Sequence, residues 1–148
     1  MITYVVVAIA VAIIASLGFY AGKLLSQLKQ QQQKQKHARD ARIARIMESV
    51  YTIALAVEQQ QCNLSEGAIR LVNLLDSVPI ESQPNCERDY PALFELFSHV
   101  RGLPTHQARK EMDKTLRARQ DHIREELETQ LESRILKEVA DIRHLNFG

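Results

Sequence analysis

The sequence predicts an all-α protein: an N-terminal transmembrane helix continuing into a helical stalk, then a small cytoplasmic helical bundle with a long C-terminal charged helix. Three observations predict it. Residues 2–22 (ITYVVVAIAVAIIASLGFYAG) contain no charged side chain. Through most of the remainder, apolar residues recur three and four apart, which lays them on one face of a helix. No segment carries the alternating pattern of a strand.

A helix over residues 2–22 rises ~1.5 Å per residue and so covers roughly the 30 Å hydrocarbon thickness of a bilayer. Its Ile, Val, Leu and Phe residues each contribute about −0.3 to −0.6 kcal/mol to insertion. A cleaved secretory signal would want a basic n-region, a shorter apolar core and a small-residue cleavage site. Residues 1–22 are therefore expected to be an uncleaved anchor. Gly18 and Gly22 form a G-x-x-x-G, and Ala8, Ala12 and Ser16 a second row of small residues. Such rows let two membrane helices approach closely, although small residues are common in membrane helices in any case.

Orientation follows from the flanking charge. Lys23, Lys29, Lys34, Lys36, Arg39, Arg42 and Arg45 all follow the apolar run, which by the positive-inside rule places the N-terminus outside and the remainder in the cytoplasm. The expected location is thus a bacterial inner membrane, crossed once. Residues 23–45 carry seven Lys and Arg against the single acid Asp40, whereas residues 46–148 carry twelve against seventeen Asp and Glu. An acidic domain without Trp is a poor nucleic-acid binder, which needs a clustered cationic face and stacking aromatics. If the stalk stands upright, Lys29 lies ~9 Å and Arg45 ~33 Å beyond Lys23. With a Debye length near 8 Å, only Lys23 and Lys29 would feel anionic lipid strongly. Cys62 and Cys86 are two lone thiols, expected to stay reduced in a cytoplasmic domain.

The elements follow in order. Residues 23–37 form a basic Gln/Lys-rich juxtamembrane stalk, expected to be helical because Gln, Lys and Leu favour helices and no Gly or Pro interrupts. Residues 38–148 form the helical domain. Within it Ile43, Ile46, Met47, Val50, Ile53, Ala54 and Val57 mark a helix over 38–61. Asn63 and Glu66 open a second, over 64–77, as a variant capping box. Residues 77–89, with Pro79 and Pro84, read as a loop. Pro91 starts a helix over 91–101, stopped by Gly102 and Pro104. Thr105 is the expected N-cap of a last helix over 106–146 with a narrow stripe: Ala108, Met112, Leu116, Ile123, Leu127, Leu131, Ile135, Val139 and Ile142. Expected i,i+4 pairs along it include Arg109–Asp113, Asp113–Arg117, Arg117–Asp121 and Arg124–Glu128. So narrow a stripe suits a coiled-coil seam or a helix laid along a bundle.

Chemistry-bearing motifs are sparse. The five histidines and two cysteines show no close pair of the kind that supplies zinc ligands. No phosphate loop or nucleophile elbow occurs, so neither catalytic residues nor a cofactor nor a small-molecule substrate is expected. Gly67 costs about 1 kcal/mol against Ala in a helix interior, which marks close approach of another backbone. Beside it, Glu66 and Arg70 are candidates for an inter-helix polar cluster with Arg117, Asp121 and Arg124; the alternative is that both face solvent.

The anchor, the stalk, LSEGAIRLVNLLDSV (residues 64–78), LPTHQAR (103–109) and DKTLRARQDHIREELE (113–128) together resemble a family of small uncharacterised proteobacterial proteins. These have one N-terminal membrane helix and are classed as a domain of unknown function. The resemblance implies an inner-membrane location and supplies no activity, ligand or functional residue. The expected role is non-enzymatic: an interaction or scaffold module near the membrane, meeting a protein partner or a second copy of itself. Two alternatives stand beside it. One is an enzyme or enzyme regulator built from dispersed residues such as Glu66, Arg70, His99 and Asp121; the other is a purely structural coiled-coil homodimer.

Overall fold

The structure, a computed structural model, describes residues 1–104 and 106–147, so the expected cap Thr105 lies outside the described residues. The described residues form helices and connections, with no strand. The helices are α1 (Ile2–Glu58), α2 (Leu64–Asp76), α3 (Cys86–Asp89), α4 (Pro91–Val100), α5 (His106–Glu111) and α6 (Lys114–Arg143). The chain divides into two compact units, Met1–Ala41 and Arg42–Gly148.

The first unit is helical from Ile2 onward, including the Gln/Lys tract. All of its side chains are exposed; even Leu24 retains 48% of its surface. α1, whose first part makes up this unit, is long and apolar enough to cross a membrane.

The second unit has its own core. The last turns of α1 contribute Met47, Val50, Ala54 and Val57, and α2 contributes Ala68, Leu71, Val72 and Leu75. From α4 come Ala92, Leu93, Leu96, Phe97 and Val100, and from α6 Leu131, Ile135, Val139 and Ile142. Val78, Cys86 and Tyr90 plug the connection between α2 and α4. Burying each Leu or Ile side chain fully is worth about 1.5–3 kcal/mol.

Helix ends are set by identifiable groups. α1 stops at Glu58 rather than residue 61 because Gln60 turns left-handed, with φ 57°. The Gln61 N–H then reaches Ala56 O at 2.8 Å and the Gln60 N–H reaches Val57 O at 3.0 Å, the two bonds of a Schellman C-cap. Asn63 opens α2, its side chain accepting from the Ser65 N–H at 2.9 Å. Within the expected loop, Asn85 caps the short α3 through the Arg88 N–H. Pro91 holds the first turn of α4.

The helix expected over 106–146 is broken. Asp113 adopts extended geometry (ψ 138°) and caps α6 by accepting from the Thr115 N–H at 3.0 Å. Arg117 reaches back to the carbonyls of Lys110 and Met112, at 3.0 and 3.2 Å, and satisfies the end of α5. A capping aspartate plus an arginine clamp thus ends a helix with neither Gly nor Pro.

Gly67 is where α2 meets the last turn of α1. A Cβ there would lie 2.4 Å from Cγ2 of Val57 and 3.9 Å from Sγ of Cys62. The close approach is therefore made by a side chain, that of the buried Val57, rather than by another backbone.

Two stability changes follow, both measurable by urea unfolding of the detergent-solubilised chain. Gln60→Gly should stabilise by about 1 kcal/mol, because glycine removes the left-handed penalty at an exposed position. Gly67→Ala should destabilise by about 1–2 kcal/mol, the clash with a stiff β-branched neighbour outweighing the helix-propensity gain. In a Val57→Ala background the same substitution should become neutral or stabilising; an unchanged cost there would refute the steric account.

Candidate interaction surfaces

The basic residues Lys23, Lys29, Lys34, Lys36, Arg39, Arg42 and Arg45 are all exposed. Lys23 and Lys34 are eleven residues apart, close to three helical turns, and so fall on one line of their helix. Lys29 and Lys36, seven apart, share another. At Gly18 and Gly22 a Cβ would meet nothing within 4 Å, so this face is open to a neighbouring helix.

The expected polar cluster forms differently. Glu66 and Arg70 pair with each other across one turn of α2, both more than half exposed. Neither reaches Arg117, Asp121 or Arg124 among the described residues. The bond from α2 to α6 is made one residue earlier, by the Ser65 hydroxyl donating to Glu128 Oε1. One residue is a rotation of about 100° on a helix. That rotation turns Ser65 inward, to 7% exposure, and leaves Glu66 facing water.

Asp121 belongs to a different network. Arg109 donates to both its carboxylate oxygens, at 2.6 and 2.7 Å, tying α5 to α6. Arg124 lies 3.6 Å from Asp121 and 3.8 Å from Glu128, so a run of alternating charge links α5 through α6 to Ser65. The Arg109 hydrogen bond holds the Asp121 carboxyl below its ordinary value of 3.8. Of the expected i,i+4 pairs, Arg124–Glu128 is present, while Arg109 and Arg117 are diverted by the break at Asp113.

Sequence reasoning missed Glu138. Its two carboxylate oxygens accept from the Ala92 N–H at 3.0 Å and the Leu93 N–H at 2.8 Å, capping α4 from α6. A signal was present: Tyr90 precedes Pro91 and offers no side-chain cap, leaving the N-terminal donors in need of an outside acceptor. Beside this cap the buried Tyr90 phenol is pushed up to about 12, by burial first and then by the carboxylates of Asp89, Asp141 and Glu138. Arg143 pairs with Glu58, and the Tyr51 hydroxyl donates to Leu145 O, so the last turns of α1 and α6 are also joined.

The surface has shallow grooves. One, largely apolar and about 430 Å³, lies between α1 and α2, lined by Ser49, Ile53, Ile69, Arg70, Asn73 and Leu74. Another, of about 330 Å³, includes Cys62, Asn63, Glu128 and Glu132. A third, about 320 Å³, includes Asp76, Gln83, Cys86 and Phe94. Burial, with Asp76 and Asp89 nearby, pushes the Cys86 thiol up to about 11, and burial also raises that of Cys62. Both thiols are therefore protonated at neutral pH and poor nucleophiles. His99 is exposed in the last turn of α4.

A family model described as a protein of unknown function (DUF2489) matches residues 14–142. An uncharacterized protein of Haemophilus influenzae is 38% identical over 131 residues, which is 88% of this chain and 86% of its own length. No solved structure matches the chain.

Glu138→Ala should cost about 2 kcal/mol, since it strands two backbone donors at the buried start of α4, and Glu138→Gln distinctly less. Thermal melts followed by circular dichroism would measure both; equal effects would remove the charge from the explanation. For Asp121 the sign is that of a carboxyl lowered in the folded state, giving stability present at neutral pH and lost in acid. The deficit of Asp121→Asn against the parent should therefore shrink as the pH falls below 3.8.

Proposed function

The chain belongs to the DUF2489 family of proteins of unknown function, and we propose that it is a single-pass inner-membrane protein whose helical unit docks another protein at the cytoplasmic face. One observation carries the anchoring. Residues 2–22 are helical, uncharged and exposed along their length. An apolar surface of that extent is stable only in lipid or against another apolar body. The basic residues that follow it support an orientation with the N-terminus outside.

Two features support an interaction role over catalysis. The charged side chains nearest a plausible site are committed to holding helices together: Asp121 to Arg109, Glu128 to Ser65, Glu138 to α4. The grooves are shallow, and the thiols beside two of them are held protonated. What the unit offers a partner is surface: an apolar groove between α1 and α2, and the exposed face of α6.

Reporter fusions test the topology. A fluorescent protein fused at the C-terminus should be bright and a periplasm-dependent phosphatase fused there inactive, with the chain retained in membranes after an alkaline wash. An active phosphatase would overturn the orientation. Affinity purification from solubilised membranes should recover a protein at comparable molar amount. Its recovery should fall when Ile53 and Leu74, on the α1–α2 groove, are replaced by Asp and Lys respectively.

A further inference from the structure

α6 carries two apolar stripes. The one facing the core comprises Leu131, Ile135, Val139 and Ile142, all buried. The other lies in its first half, where Leu116 is 49% and Ile123 39% exposed, with half-buried Gln120 and Leu127 on the same face. At about 100° per residue the second stripe is turned by roughly 80° from the first, so the packing that buries one leaves the other in water. Among the described residues of Arg42–Gly148, Leu55 is the one other large apolar side chain so exposed. In the middle of this stripe the Gln120 side-chain oxygen is buried with no hydrogen-bond partner among the described residues, an unfavourable state for a carbonyl.

We propose that residues 116–127 of two copies pair antiparallel about a two-fold axis and seal this stripe; the inference rests on reading the protein as an interaction module and names a second copy as partner. Leu116, Gln120, Ile123 and Leu127 are spaced four, three and four apart, the spacing of a coiled-coil seam, and that spacing is symmetric about its midpoint. Reversed onto itself, the seam sets Leu116 against Leu127 of the second copy and Gln120 against Ile123. The two Gln120 side chains then flank the axis. One polar residue in such a seam fixes register.

Charge selects the antiparallel arrangement. On the solvent-open flank of the stripe stand Arg119 and Glu126, both exposed and seven residues apart. Antiparallel pairing brings each Arg119 to the second copy's Glu126, two identical ion pairs. Parallel pairing in register would bring Arg119 to Arg124 instead. On the other flank Arg117 and Arg124 point back into their own chain, to the carbonyls of Lys110 and Met112 and to the carboxylates of Asp121 and Glu128. The surrounding charge agrees: residues 109–119 carry five Lys and Arg against two acids, and residues 125–132 carry four Glu with no Lys or Arg.

The test uses the full chain in membranes. Copies carrying L116C and differently tagged copies carrying L127C are co-expressed and oxidised with copper phenanthroline. The parent chain, with Cys62 and Cys86 alone, sets the background. We expect a mixed L116C–L127C disulfide and no L116C–L116C product. Adding R119E alone, or E126R alone, should lower the mixed yield roughly tenfold or more through like-charge contact. Adding both to every copy should restore it, since the exchanged charges oppose again. Circular dichroism of each variant confirms that the helices persist. Absence of the mixed product, an L116C–L116C product in its place, or a double variant no better than the single ones overturns the pairing. A chain that fails here yet still captures another protein loses this inference and keeps the broader reading.

Discussion

The helical unit depends on a requirement at helix N-termini: the first backbone N–H groups of each helix have no intrahelical acceptor and collect partial positive charge. α6 meets that requirement for α4, where Glu138 takes the first free donors, while Asn63 meets it for α2 from its own N-cap. Ten residues before Glu138, Glu128 ties α6 to the first turn of α2 by accepting from the Ser65 hydroxyl. The two carboxylates stand ~15 Å apart along α6 at 1.5 Å per residue, so together they fix where α2 and α4 begin relative to it. Between and beyond them Leu131, Ile135, Val139 and Ile142 fill the space those helices enclose. Charge sets the register, and apolar burial supplies the free energy.

How much of this is legible in the sequence depends on the range of each signal. The apolar first segment, the cap at Asn63 and the proline at the start of α4 are local patterns, and the structure has helices beginning where they occur. Gly67 was legible as a close approach, while the side chain that approaches, Val57, lies on another helix and left no local mark. Glu138 acts across 46 residues and looks in sequence like any solvated glutamate on a charged helix. The break at Asp113 was missed for a different reason. Helix stop signals are weighted toward Gly and Pro, and here an aspartate cap and an arginine clamp replace them.

The Glu66 and Arg70 pair shows how finely such inferences turn on phase. Among the described residues Glu66 and Arg70 do not make the contacts with α6 expected of them, and the polar contact between α2 and α6 belongs to Ser65. A charged pair four residues apart satisfies itself at the surface at little entropic cost, and exposed pairs of this kind contribute only a few tenths of a kcal/mol. The small hydroxyl can be buried against a carboxylate where an arginine could not be accommodated without further partners. Residue size and hydration cost therefore choose which of two adjacent residues makes the helix-to-helix bond.

The same reasoning explains why α6 is apolar on two faces. A narrow stripe among many charges suits contact with one neighbour at a time, and the rotation between its two halves gives each half a different neighbour. The C-terminal half is filled by the chain's own core. The N-terminal half keeps Leu116 and Ile123 in water, with a half-buried glutamine between them. Two short seams of this size would hold free copies together only weakly. With the chain anchored as proposed, confinement of two copies to one membrane surface would raise their effective concentration, and an interface too small to persist in solution would then be sufficient. The proposed anchor and the proposed pairing of this helix face would thus support each other, the first supplying the concentration that the second needs.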